Sequence, residues 1–370
     1  MIAASPSLGK DHPFRVSERL CIRGKSGKIS PMNSRERVQR AVRFEKPDRV
    51  PISHAVLPAA QLKHGQALAE ILTEFREDFG WDYTSDLTVE RFSPQYKQGL
   101  NRDDFDTLWR VEWMGVCGIP VEWPIKDLDR YGEYRWPEDF PAGPPPGRQY
   151  SGHMCGFDER WYARGGWFTY FEQLQQLRGM ESFMMDVATE SREFYRLLDD
   201  LLDFNLRWID KWAGLEYEGL NFGDDWGGQR SLLIRPEAWR RIFKPRYLAM
   251  FDRVHAAGMD VWFHSDGFVN EIIGDLIEIG VDVINVQTAV LGHDWIVRNA
   301  RGRVAFRTDI DRQRILPFGS PAEVREEVQR TFESCGTRHG GLIACGEVGP
   351  DVPLENIQAM YEAFREYGKY

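Results

Sequence analysis

The 370-residue chain has no run of about 18 uncharged apolar residues, the length that a helix needs to cross a bilayer, so no membrane span is expected. It also lacks a cysteine framework. Cys21, Cys117, Cys155, Cys335 and Cys345 are odd in number, scattered and without C-x-x-C spacing, which implies no disulfides and favours a reducing cytoplasm. Positive charge is short as well. Lys and Arg number 47 against 57 Asp and Glu, and a net charge of −10 is the opposite of the basic face that nucleic acid requires. Residues 1–31 carry six Lys/Arg against two acids and have no apolar core of a secretory signal. They read as a flexible tail ahead of a fold beginning near Met32, with an organellar transit peptide as the alternative.

Apolar residues are plentiful at 42%, and aromatics reach 13%, enough for a large core. The 13 tryptophans read mostly as core and rim filler, with some as walls of a pocket for a flat or aromatic ligand.

Four segments in the second half each read as a hydrophobic strand ending in a polar cluster: Gly219–Gln229, Met259–Gly267, Val281–Gln287 and Gly341–Pro353. Helix-length segments separate them, a pattern that favours a parallel sheet with its strand carboxyl ends on one rim. The expected fold is therefore α/β, a (β/α)₈ TIM barrel over residues 32–370. Before these segments come a capped helix from Asn33 or Ser34, strands at Val50–Val56 and Trp81–Asp86, a helix at Leu62–Phe79, and helices at Tyr170–Val187 and Thr189–Ala213. Residues Asn101–Tyr150, with the Pro-rich stretch Pro141–Gly147, read as an inserted excursion, part hairpin and part loop.

The rim collects the candidate site. His264 follows a hydrophobic strand and reads as a metal ligand or acid-base group, or as a buried histidine satisfied by a carbonyl. Asp266 is a ligand or a helix cap. Asp224 and Asp225 are neighbours, so only one should face a pocket; Asp225 is the choice as a catalytic group, beside Trp226. Asp224, Trp226, Gln229, His54 and Arg307 are taken as substrate contacts, Asp309 as a further rim candidate. Cys345 is a thiolate ligand or a small buried hydrophobe, with Glu347 as the fallback ligand in its loop.

The segments Ser34–Pro51 (SRERVQRAVRFEKPDRVP), Gly223–Gln229 (GDDWGGQ), Phe263–Gln287, Thr308–Val324 and Asp351–Gly368 together resemble the uroporphyrinogen decarboxylase superfamily, which includes cobalamin-dependent methyltransferases. The resemblance covers about Met32 to Tyr370 and implies the barrel with a pocket at its carboxyl rim. Decarboxylases of this superfamily have an arginine-rich segment after the first strand, suited to a substrate with eight carboxylates. Here Ile52–Gly65 (ISHAVLPAAQLKHG) contains no arginine. The methyltransferase branch binds zinc through His-x-Cys and a later Cys; at the matching positions stand His264, Asp266 and Cys345.

The resemblance thus implies a zinc-dependent methyltransferase acting on a small methylated or thiol substrate. Methylcobalamin would come from a partner corrinoid protein, since the chain has no Asp-x-His-x-x-Gly motif. A decarboxylase-like reaction, with Asp225 stabilising positive charge in the substrate, is the second reading; a non-enzymatic binding barrel is the third. A homodimer is left open.

Overall fold

The computed structural model describes residues 32–79, 92–138, 161–215 and 217–370. Helix α1 (Ser34–Val42) starts where Asn33 Oδ1 accepts the Glu36 amide and buries Val38, Ala41 and Val42. The chain from Arg49 to Val56 is mostly irregular: Ile52 bridges Ala344 in parallel, and only β1 (Ala55–Val56) is a regular strand. Helix α2 (Pro58–Glu74) begins four residues before the expected Leu62, because Pro58 supplies a preset first turn; it kinks at Gly65, where φ is +51°. The strand expected at Trp81–Asp86 lies outside the described residues, as do the tail 1–31 and the Pro-rich stretch 141–147.

The excursion contains a three-stranded antiparallel sheet, β2 (Gly99–Arg102), β3 (Leu108–Val111) and β4 (Ile119–Glu122). Asp103 organises its turn, accepting the amides of Phe105 and Thr107 and the Trp109 indole N–H at 2.7 Å. Thr107 Oγ1 donates to the Gln176 carbonyl and so ties the sheet to the barrel.

Parallel pairing then runs without a break through β5 (Arg164–Phe168), β6 (Gly219–Gly223), β7 (Asp260–Ser265), β8 (Val283–Val286), β9 (Ala305–Arg307) and β10 (Leu342–Ile343). Beyond Ala344 the same run continues as β11 (Glu347–Val348), which pairs in parallel with β1. The last strand therefore joins the six-stranded sheet to the start of the chain, as the expected (β/α)₈ barrel requires.

The helix expected over Tyr170–Val187 is two helices, α3 (Phe171–Arg178) and α4 (Met180–Thr189). Gly179 separates them with φ at +78°, and a Cβ there would sit 2.8 Å from the Trp123 ring. Helix α5 (Arg192–Ala213) follows, capped by Ser191, with one face of Phe194, Leu197, Leu198 and Leu201 in the core. Among the described residues no helix is long and apolar enough to cross a membrane.

Candidate active site

Strand direction sets the rim. Strands β6 and β7 run side by side, Gly223 opposite His264, so the residues that follow them emerge together. Asp225 Oδ1 accepts the Asp266 amide at 2.8 Å, tying the two strand ends to each other. As a result Asp225, His264 and Asp266 each bring one ligand atom into a group whose members lie within 4.8 Å of one another. His264 Nε2 is 3.4 Å from Asp266 Oδ1 and 3.7 Å from Asp225 Oδ1.

The imidazole is oriented from behind. Asn285 on β8 donates through Nδ2 to the carbonyls of Arg307 and Thr308, at 2.9 and 3.3 Å, which turns its Oδ1 toward His264. His264 Nδ1 donates to that oxygen at 2.9 Å, and Arg307 Nη1 donates to it at 3.0 Å. Nε2 is then the nitrogen left facing the two carboxylates. Asp266 is held likewise: its Oδ2 accepts from Arg312 Nη2, while its Oδ1 is buried with no hydrogen-bond partner among the described residues. Arg312 also donates to Glu347 Oε1 at 2.6 Å and lies 3.7 Å from Asp309.

Asp225 and His264 of this group border a cavity of about 420 Å³. Tyr96, Phe105, Trp109, Trp167 and Trp208 supply its rings, and Gln95, Gln173, Gln176 and Asn205 its amides. The excursion thus forms one wall. Trp167 is 53% exposed with its ring 5.9 Å from His264, and it lies where a Cβ on residue 223 would be 2.3 Å away; only glycine leaves that space. Glu172 lines the same cavity, its carboxyl pushed up by burial first and then by the charges of Asp224, Asp225 and Asp266.

The other sequence candidates are placed differently. Asp224 is buried and accepts the amides of Tyr170 and Glu172 and the Tyr247 hydroxyl, so it caps α3 instead of contacting substrate. Trp226 is fully buried, stacked on Phe171 at 3.8 Å with its indole N–H on Tyr247, and belongs to the core. His54 is buried on the Phe75 carbonyl, and burial drives its pKa down to about 4. Arg307 donates to Ser53, Asn285 and the His54 carbonyl, and so supports the site from inside the barrel. Gln229 lines a second cavity of about 260 Å³ with Asp309 and Arg312.

Cys345 is the main departure from the expected ligand set. It is buried, its amide donates to Thr308 Oγ1, and burial raises its thiol to about 11. Among the described residues the grouped ligand atoms are those of Asp225, His264 and Asp266, without Cys345. Glu172 and Trp167 were not singled out from the sequence. Both lie in or just after β5, and their position beside the site depends on the pairing of β5 with β6.

The sequence profile described as uroporphyrinogen decarboxylase (URO-D) matches residues 165–367, more than half of the chain. A curated uroporphyrinogen decarboxylase of Xanthomonas axonopodis pv. citri (strain 306) is 24% identical over 187 residues, 47% of this chain and 50% of that protein. The chain thus spans about half the length of that relative. A solved methyltransferase from Methanosarcina mazei superposes with a TM-score of 0.61 over 91% of this chain and 99% of that chain at 15% identity, a likeness of fold.

Proposed function

The chain belongs to the uroporphyrinogen decarboxylase (URO-D) family, and from that premise we propose that it transfers methyl groups at a metal site formed by Asp225, His264 and Asp266. The observation that carries the reading is the convergence of these three side chains, two of which, Asp225 and His264, line a ligand-sized cavity. The methyltransferase fold neighbour agrees with it. So does the missing arginine segment at Ile52–Gly65, which leaves a polycarboxylate substrate without its natural partners.

A divalent cation fits these residues. Two carboxylates and one imidazole nitrogen are a suitable donor set, and the buried, unpartnered Asp266 Oδ1 is an atom in need of a cation. With oxygen in place of sulfur, the set is harder than the His-Asp-Cys set first expected, and so suits zinc or manganese. When bound, such a cation supplies Lewis-acid activation of a thiol or oxygen on the substrate. The chain's own residues do the rest: Asn285 fixes the His264 ring, Arg312 fixes Asp266, and the rings of the cavity exclude water. A partner corrinoid protein would supply the methyl group as methylcobalamin.

The test is methyl transfer itself. Protein mixed with methylcobalamin and a panel of small thiols and alcohols should produce cob(I)alamin, the acceptor gaining the methyl group and releasing its proton to solvent while the bonding pair stays on cobalt.

A second reading is decarboxylation. It is favoured by Glu172, a carboxyl that burial and neighbouring charge keep protonated beside Asp225, and thus a proton donor for the carbanion left by departing CO₂. Coproporphyrinogen formed from uroporphyrinogen at about 1 per second or faster would establish it in place of methyl transfer.

A further inference from the structure

We infer that the cavity beside Asp225 and His264 takes a flat, uncharged aromatic ligand carrying a hydrogen-bond acceptor. This names the substrate class of the proposed site and rests on that reading for its chemistry, though not for binding.

Three observations converge. The first is the walls. Phe105, Trp109 and Trp208 line one cavity with Trp167, whose ring stands half-exposed at its edge. Rings so disposed gain most from another ring, which buries apolar area and meets their faces or edges in offset geometry. The space over Gly223 keeps Trp167 in that place, since a Cβ there would strike the ring at 2.3 Å.

The second is an unmet donor. Gln173 is 8% exposed and lines the cavity, yet its Nε2 has no hydrogen-bond partner among the described residues. A buried amide N–H left alone is costly, and a carbonyl, ether or hydroxyl oxygen on a ligand would satisfy it. An all-hydrocarbon ligand would not.

The third is charge. Among the described residues no Lys or Arg lines the cavity, while Glu172 and Asp225 do. In the metal-free protein an anionic ligand would bury its charge beside these carboxyl groups, with no Lys or Arg in the lining to offset it. Apart from His264 and Cys117, the remaining polar lining is amide and hydroxyl, which suits a neutral, hydrogen-bonding molecule.

The experiment is a calorimetric or NMR titration of the full chain, treated with EDTA, with three probes of similar size: benzamide, cyclohexanecarboxamide and benzoate. No metal, corrinoid or turnover is involved, so failure of the methyl-transfer reading leaves the outcome readable. Benzamide should bind in the millimolar range expected for so small a molecule. Cyclohexanecarboxamide, of similar size but not flat, should bind about threefold to tenfold more weakly, and benzoate at least about tenfold more weakly. Trp167→Leu should weaken benzamide about threefold to tenfold while Trp167→Phe largely restores it. Because residue 167 is half-exposed, both variants should fold; Gln173→Leu tests the donor separately. Equal affinity for benzamide and cyclohexanecarboxamide, or benzamide binding unchanged in Trp167→Leu, would overturn the inference. So would a protein that binds none of the three.

Discussion

His264 Nδ1 donates to Asn285 Oδ1 at 2.9 Å, and the two carbonyls that Asn285 Nδ2 serves leave that amide only one orientation. The ring cannot turn its other nitrogen inward without breaking this set. Asn285 therefore decides which imidazole atom meets Asp225 and Asp266.

Asn285→Leu should accordingly lower the affinity for zinc or manganese by about tenfold to a hundredfold, the usual effect of removing a hydrogen-bonded supporter of a metal ligand. Metal titration of both proteins is the measurement. Equal affinity would mean that the His264 ring is held by something other than Asn285.

Cys345→Ala separates the observed group from the set that the resemblance implies. The thiol is buried, raised to about 11 and absent from the Asp225–His264–Asp266 group, so the variant should keep its metal and lose about 1 kcal/mol of stability to a small cavity. Loss of metal on this substitution would restore the cysteine as a ligand.

The two adjacent aspartates should respond in opposite ways. Asp224→Ala strips the acceptor from two α3 amides and the Tyr247 hydroxyl, and should cost about 3 kcal/mol in denaturant unfolding. Asp225→Ala removes one accepted amide from a partly exposed side chain, and should cost about 1 kcal/mol while abolishing metal binding.

Glu77 gives a prediction in pH. Its Oε2 accepts the His54 amide at 2.7 Å, its Oε1 has no partner among the described residues, and burial raises its pKa from 4.5 to about 7 against the pull of Arg164 and Arg307. The unfolded chain releases this proton first, so the contribution to stability is whole below about 4.5 and is lost as pH rises through about 7. Glu77→Gln keeps the acceptor and does not ionise. Relative to wild type it should gain stability across that window, by up to about 3 kcal/mol above pH 7. A stability difference that stays constant with pH would contradict the assignment.

Period and spacing made the barrel legible. Asp225, His264 and Asp266 each sit at or just past the end of a strand whose apolar run can be read directly, and parallel order puts such ends on one rim. Their neighbours were less legible because tertiary partners decide them. Asp224 caps a helix some 50 residues away, and Cys345 turns inward on Thr308 across a strand pair. Trp226 lies beyond the end of β6, where alternation gives no guide to facing, and a stacked Phe171 holds it in the core. The break at Gly179 is hidden because Leu174 and Leu177 before it and Met180, Phe183 and Met184 after it keep one helical spacing.

The proposed function requires that Asp225, His264 and Asp266 together hold a divalent cation. Metal analysis and zinc titration of protein purified without an affinity tag test it most directly. The expected result is one equivalent of metal, lost in His264→Ala and in Asp225→Ala and retained in Cys345→Ala. Wild-type protein that neither carries nor takes up a divalent cation would contradict it.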